Sequence, residues 1–130
     1  MIALDYRDRR PLYEQVIERF QELMYKGVLK ENEKLPSVRS LAMELSINPN
    51  TIQRAYGELE RQGFIYSVKG KGSFVADSAR LRQERLKEWE KNFDLLIAEG
   101  RTLGLSSEAM AERICRQEET RGEEGGRSHD

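Results

Sequence analysis

At 130 residues the chain has room for one domain with a real core and an appended element, but not for two full domains. Apolar residues make up 38% and charged residues 35%, a soluble globular balance with no run near the ~18 apolar residues of a membrane span. The net charge of −1 gives no overall basic bias, so affinity for nucleic acid would have to come from where the cations sit. Residues 1–76 carry 12 Lys/Arg against 10 Asp/Glu, net +2, and residues 77–130 carry 10 against 13, net −3. Met1 to Leu4 is followed at once by the charged cluster Asp5 to Arg10, which does not look like a signal peptide. The single cysteine, Cys115, excludes an internal disulfide and fits a reducing, bacterial-type cytoplasm.

Pro11 suits the first turn of a helix, where its missing N–H costs nothing. Leu12, Val16, Phe20 and Leu23 then recur at helical spacing, with Ile17 and Met24 beside them, and Gly27 is a good terminator. Val28 to Lys34 reads as a charged connector. Ser37 is placed to cap a second helix whose buried face is Val38, Leu41, Ala42 and Leu45. Ser46-Ile47-Asn48 makes a turn, and Asn48-Pro49 is an N-cap followed by proline, so a third helix starts there. Ile52, Ala55, Tyr56 and Leu59 form its inner face, and Gln62-Gly63 ends it. Phe64 to Val68 and Ser73 to Val75 are rich in strand formers, joined by the hairpin tip Lys69-Gly70-Lys71-Gly72.

Beyond Asp77 the composition changes to Arg, Glu, Lys and Leu. Leu86, Trp89, Phe93 and Leu96, with Ile97, predict a long amphipathic helix to about Gly100. Leu103-Gly104-Leu105 breaks it, and Ser106 or Ser107 caps a last helix with Ala109, Met110 and Ile114 facing inward. From about Gln117 the chain is polar, and residues 119–130 are expected to be a disordered tail. The predicted fold is mainly α with a small β-hairpin: a winged helix-turn-helix over residues 1–76, then two C-terminal helices over residues 77–118.

The polar residues fall where such a unit meets a duplex. A helix in the major groove reads bases from its N-terminal residues, while the preceding helix braces on the backbone. Asn48, Asn50, Thr51, Gln53 and Arg54 cluster at that start. Amides pair with adenine edges and guanidiniums with guanine. Arg39 lies on the second helix within reach of the groove or a phosphate. The hairpin tip combines two glycines, which allow close backbone approach, with Lys69 and Lys71.

The stretch LPSVRSLAMELSINPNTIQRAYGELERQGFI, followed by KGKGSFV, closely resembles the winged helix-turn-helix of the GntR family of bacterial transcription regulators. The C-terminal WEKNFDLLIAEGRTLGLSSEAM looks like the YtrA-type branch, which lacks a large ligand-binding domain. This resemblance implies a homodimer on an inverted-repeat operator in double-stranded DNA, usually a repressor of its own operon and often transporter-linked. It places DNA contacts on Arg39 after the turn containing Ser37. Further contacts fall on Asn48, Pro49, Asn50, Thr51 and Gln53 of the recognition helix and on Lys69 and Gly70 of the wing, beside Lys71 and Gly72. Two positions depart from the family pattern: Asn32 stands where a glycine is usual, and Ser40 where an acidic residue often follows the arginine. Asn tolerates the left-handed conformation, and Ser40 bears on how Arg39 is oriented.

Plainer readings compete. Taken without its context, Arg39 is an ordinary solvated helix arginine, and Lys69 and Lys71 are edge charges that discourage strand pairing. Arg54 stays open between a base or phosphate contact and a surface salt bridge. The stripe of Leu86, Trp89, Phe93, Leu96 and Ile97, continued by Leu103, Leu105, Met110 and Ile114, favours a dimer interface, because a body of 76 residues offers little surface to cover it. Rival functions are a winged-helix docking module that does not touch DNA, and a regulator that senses an effector in a pocket between the C-terminal helices. A docking surface would show apolar anchors in place of the basic wing. With His129 the only histidine and Cys115 alone, no metal set, cofactor or enzymatic activity is expected.

Overall fold

A computed structural model describes the backbone of residues 2–128 and the side chains of residues 2–120. The chain divides into two compact units, residues 1–84 and 85–130.

In the first unit, α1 (Leu12–Tyr25) starts directly after Pro11 and ends at Gly27, whose φ of 75° lets Val28 N–H turn back to Leu23 O at 2.8 Å. Helix α2 (Val38–Leu45) is capped by Ser37, whose hydroxyl accepts Ser40 N–H at 3.1 Å. Its C-terminal cap Ser46 takes the left-handed conformation at φ 55°. Helix α3 (Pro49–Gln62) is capped by Asn48, whose side-chain oxygen accepts Asn50 N–H at 2.9 Å, and closes at Gly63, φ 90°. Each of these ends follows from a local signal in the sequence.

The wing is the antiparallel pair β1 (Ile65–Val68) and β2 (Gly72–Val75), in the register Ile65↔Val75, Tyr66↔Phe74, Ser67↔Ser73, Val68↔Gly72. The connector before α2 is more than a link. Lys34 bridges Phe74, Leu35 N–H reaches Ser73 O at 2.9 Å, and Asn32 N–H reaches Val75 O at 2.7 Å. This short stretch covers the outer edge of β2, and Asn32 adopts φ 69°, as the tolerance of Asn for that region allows.

The core is built from one face of each element. Val16 and Phe20 of α1, Leu41 of α2, and Ile52, Ala55 and Leu59 of α3 are fully buried, closed below by Phe64, Ile65 and Val75. Phe20 meets Tyr56 edge-to-face with ring centroids 5.8 Å apart. Val38 and Leu45, expected in the buried face of α2, are only half-buried. The first unit runs past residue 76 because Leu81, in the first turn of α4 (Ala79–Thr102), packs on this core.

In the second unit the rest of α4 turns into α5 (Ser107–Ser128) at Gly104, φ 90°. Ser106 is the cap, its hydroxyl accepting Ala109 N–H at 3.1 Å. Gly100 is buried at the elbow: a Cβ there would stand 3.3 Å from Met110 Sδ. The backbone of residues 119–128 is helical, where the polar composition predicts a disordered tail. Helix formers at Gln117, Glu118 and Glu119 carry the helix forward, although Gly122, Gly125 and Gly126 each disfavour it by about 1 kcal/mol. His129 and Asp130 lie outside the described residues.

Phe20→Ala should destabilise the first unit by about 3–5 kcal/mol, read as a lower urea midpoint. A loss below about 1 kcal/mol would contradict its place at the centre of the core.

Candidate nucleic-acid interface

Because Ile52, Ala55, Tyr56 and Leu59 all face the core, the opposite face of α3 is left to solvent. Asn48, Pro49, Asn50 and Gln53 are exposed there, and Thr51 is half-buried. The helix therefore presents amide groups at its positive N-terminal end, where base edges and phosphates are both recognised. Asn48 serves first as the cap. Its oxygen is engaged with Asn50 N–H, and the NH2 group of this exposed side chain is the donor that remains.

Arg39 stands exposed in the first turn of α2. Its placement against α3 depends on Tyr56, which the helical spacing assigns simply to the inner face of α3. The Tyr56 hydroxyl donates to Pro36 O at 2.7 Å, fastening the recognition helix to the turn from which Arg39 departs. Burial pushes the Tyr56 pKa up, so the hydroxyl remains a donor throughout the neutral range.

At the wing tip, Lys69, Gly70, Lys71 and Gly72 are all exposed, with φ of 79° at Gly70 and 116° at Gly72. A Cβ at Gly72 would lie 3.2 Å from Lys34 Cε, so the lysine stem passes close to the hairpin there. Its ammonium is 3.9 Å from the same point, close to the end of the hairpin tip. The wing is stiffened from below by the stacked Tyr66 and Phe74 rings, 5.7 Å apart, and by Tyr66 donating to Asn32 Oδ1 at 2.7 Å. Nothing in the local pattern of the sequence singles out Lys34, because its partner on the hairpin is remote in the chain.

Arg54 is placed differently from the other candidates. Its guanidinium sits 3.8 Å over the centroid of Tyr13, facing α1, and its charge helps to lower the pKa of Glu58. It links α3 to α1 through this contact, although the residue remains exposed.

Ion pairing sorts the cations. Arg10 pairs with Asp8 and Glu18, Arg19 and Lys26 share Glu22, and Arg61 holds Glu58. The hydrogen bonds from Arg61 and then Gln62 hold the Glu58 carboxyl down to about 2. Arg39, Lys69 and Lys71 have no such partner among the described residues. These three cations lie at the start of α2 and on the wing, on either side of the start of α3.

In the second unit Leu86, Phe93, Ile97 and Met110 are half-buried, whereas Trp89, Leu96, Leu103, Leu105 and Ile114 are exposed. Trp89 and Phe93 stack with centroids 5.0 Å apart. An apolar groove of about 470 Å³ opens between α4 and α5, its floor formed by Phe93, Ile97, Gly100 and Met110. Among the described residues no group of His, Cys, Asp or Glu is placed to hold a metal, and no helix is long and apolar enough to cross a membrane.

A helix-turn-helix with a cationic hairpin wing and a polar recognition face defines a winged-helix DNA-binding protein. Residues 12–75 match the family of bacterial regulatory proteins called gntR, and the chain belongs to that family. It is 36% identical over 132 residues to the HTH-type transcriptional repressor YtrA of Bacillus subtilis, with all of both chains covered. A solved transcriptional regulator from Oenococcus oeni superposes with a TM-score of 0.70 at 32% identity, covering 88% of this chain and 95% of that one. The DNA-binding domain of AraR in complex with operator ORE1 matches 57% of this chain and 90% of that one, at 34% identity and a TM-score of 0.50. The protein is a DNA-binding transcriptional regulator of the GntR family, and its relatives are regulators rather than enzymes.

Tyr56→Phe should lower stability by about 0.5–1.5 kcal/mol in urea unfolding, since the hydroxyl is lost and Pro36 O loses its donor. An unchanged midpoint would show that this bond does not tie α3 to the turn before α2.

Proposed function

We propose that the protein is a cytoplasmic, homodimeric repressor that binds an inverted-repeat operator, with residues 77–118 holding two winged helices at a fixed separation. The observation that carries this reading is the pairing of an exposed recognition face with a second unit that cannot bury its own apolar residues. Trp89 is 55% exposed, Leu96 63% and Leu103 73%. Two helices alone cannot cover such a stripe, and a second copy would do so with the same surface on both sides. The relative named as a repressor is matched end to end, which supports repression as the sign of control.

In this reading Arg39 contacts a base or phosphate at the groove edge. Asn48, Pro49, Asn50, Thr51 and Gln53 discriminate sequence. Lys69, Gly70, Lys71 and Gly72, joined by Lys34, add affinity on the flanking backbone. Ser37 holds the start of α2, and Arg54 supports α3 from behind. Recognition helices about 34 Å apart, or a multiple of it, enter successive major grooves on one face of the duplex, and occupancy blocks polymerase at an overlapping promoter.

Arg39→Ala should weaken binding to the DNA upstream of the protein's own gene by about 1–3 kcal/mol with no change in fold. An unchanged isotherm would remove Arg39 from the interface. The double variant Trp89→Ala/Phe93→Ala should sediment as a monomer where the parent sediments as a dimer. A variant that remains dimeric would place the dimer contact elsewhere.

A further inference from the structure

The segment before α1 lies outside the stretch matched by the family, yet it is tied down along its length. Ile2 is buried in the core and Leu4 packs against it. Ala3 O accepts Arg19 Nε–H at 3.2 Å, and Asp5 N–H donates to Gln15 Oε1 at 3.1 Å. Gln15, at 4% exposure, turns its amide nitrogen to Arg10 O at 3.2 Å. A buried amide bonded on both of its ends to one neighbouring segment fixes that segment's position, because losing the segment would orphan it.

The strap also reaches the helix-turn-helix itself. The Tyr6 hydroxyl donates to Leu45 O at 2.8 Å, across 39 positions of sequence, while the residue stays 63% exposed. Leu45 is the last residue of α2, so its carbonyl is among those a helix leaves without a partner. Tyr6 thereby pins the strap beside Ser46 and Ile47, the turn that leads into the recognition helix. Directly after it the chain makes a tight turn, with Asp8 N–H on Asp5 O at 3.1 Å and Arg7 N–H on Asp5 Oδ1 at 2.9 Å.

Three arginines ride on this turn, and they are not equivalent. Arg10 is neutralised by Asp8 and Glu18. Arg7 and Arg9 are exposed and pair with no described carboxylate. A turn flanking the start of a groove-bound helix lies against the sugar–phosphate backbone, where arginine is a strong ligand. We infer that Arg7 and Arg9 bind DNA phosphates beside the recognition helix, with Tyr6 as the positioning residue that holds them there. This rests on DNA binding by the winged helix and adds a third backbone contact to those of α2 and the wing.

The test measures affinity of the full-length protein by fluorescence anisotropy across a salt series. Two probes are used: the duplex upstream of its own gene and a shuffled duplex of equal length. Phosphate contacts are blind to sequence, so Arg7→Ala/Arg9→Ala should weaken binding roughly tenfold at about 0.15 M salt on both. The slope of log K against log salt should fall by about 1–2, since each phosphate contact contributes about 0.9. Arg7→Lys/Arg9→Lys should restore most of the slope. Tyr6→Phe should cost about two- to threefold in the parent and nothing further in the arginine-less variant, the signature of a residue acting through those arginines. An unchanged slope in the arginine-less variant overturns the proposal, and an equal Tyr6→Phe loss in both backgrounds overturns the positioning role. Equal parent affinity for the two duplexes would count against operator specificity instead, while the slope comparison would still decide on Arg7 and Arg9.

Discussion

The structure depends on one helix serving two surfaces at once. Ile52, Ala55, Tyr56 and Leu59 of α3 fill the centre of the core, and this burial sets which residues face out. Turning α3 by a single position about its axis would draw Gln53 and Glu60, or Arg54 and Glu58, inward, costly to bury, and push an apolar group into water. Burial worth roughly 1.5–3 kcal/mol per large side chain therefore also orients the outward-facing amides at the start of α3. Stability and recognition are set by the same rotation. Tyr56 joins them directly: its ring packs on Phe20 and its hydroxyl holds the turn that leads to Arg39.

Electrostatics then selects the face. A chain with a net charge of −1 can bind a polyanion when some of its cations are cancelled locally and a group of them on one face is not. Here the cancelling is done by Glu18, Glu22 and Glu58, which pair with arginines and a lysine away from the start of α3. Exposed pairs of this kind add little to stability. Their effect is on the shape of the field: among the described residues Arg39, Lys69 and Lys71, like Arg7 and Arg9, have no carboxylate within ion-pair distance.

What could be read from the sequence was whatever is encoded within one or two turns of chain. Ser37 and Asn48 announce helix starts because a short polar side chain can reach its own backbone. Gly27 and Gly63 announce helix ends because their positions need positive φ, and the structure bears out both. The helical spacing of the buried residues in α1 and α3 was legible for the same reason. What escaped were pairings between remote positions. The strand-like edge made by Lys34 and Leu35 carries no strand signature, since a charged residue and a proline neighbour suggest a connector. Arg54 resembles a base-reading residue by position, and only the fold brings Tyr13 beneath it. The helical backbone beyond residue 118 runs against a composition that suggests disorder, and its three glycines offer no physical reason for it.

In the proposed dimer, two winged helices held by their C-terminal helices read one face of a duplex at two places. Hydroxyl-radical footprinting of the parent protein on the DNA upstream of its gene tests this most directly. Two protected segments are expected, their centres about 10 base pairs apart, or a multiple, on the same face of the helix. A single protected segment, or protection spread evenly along the duplex, would contradict it.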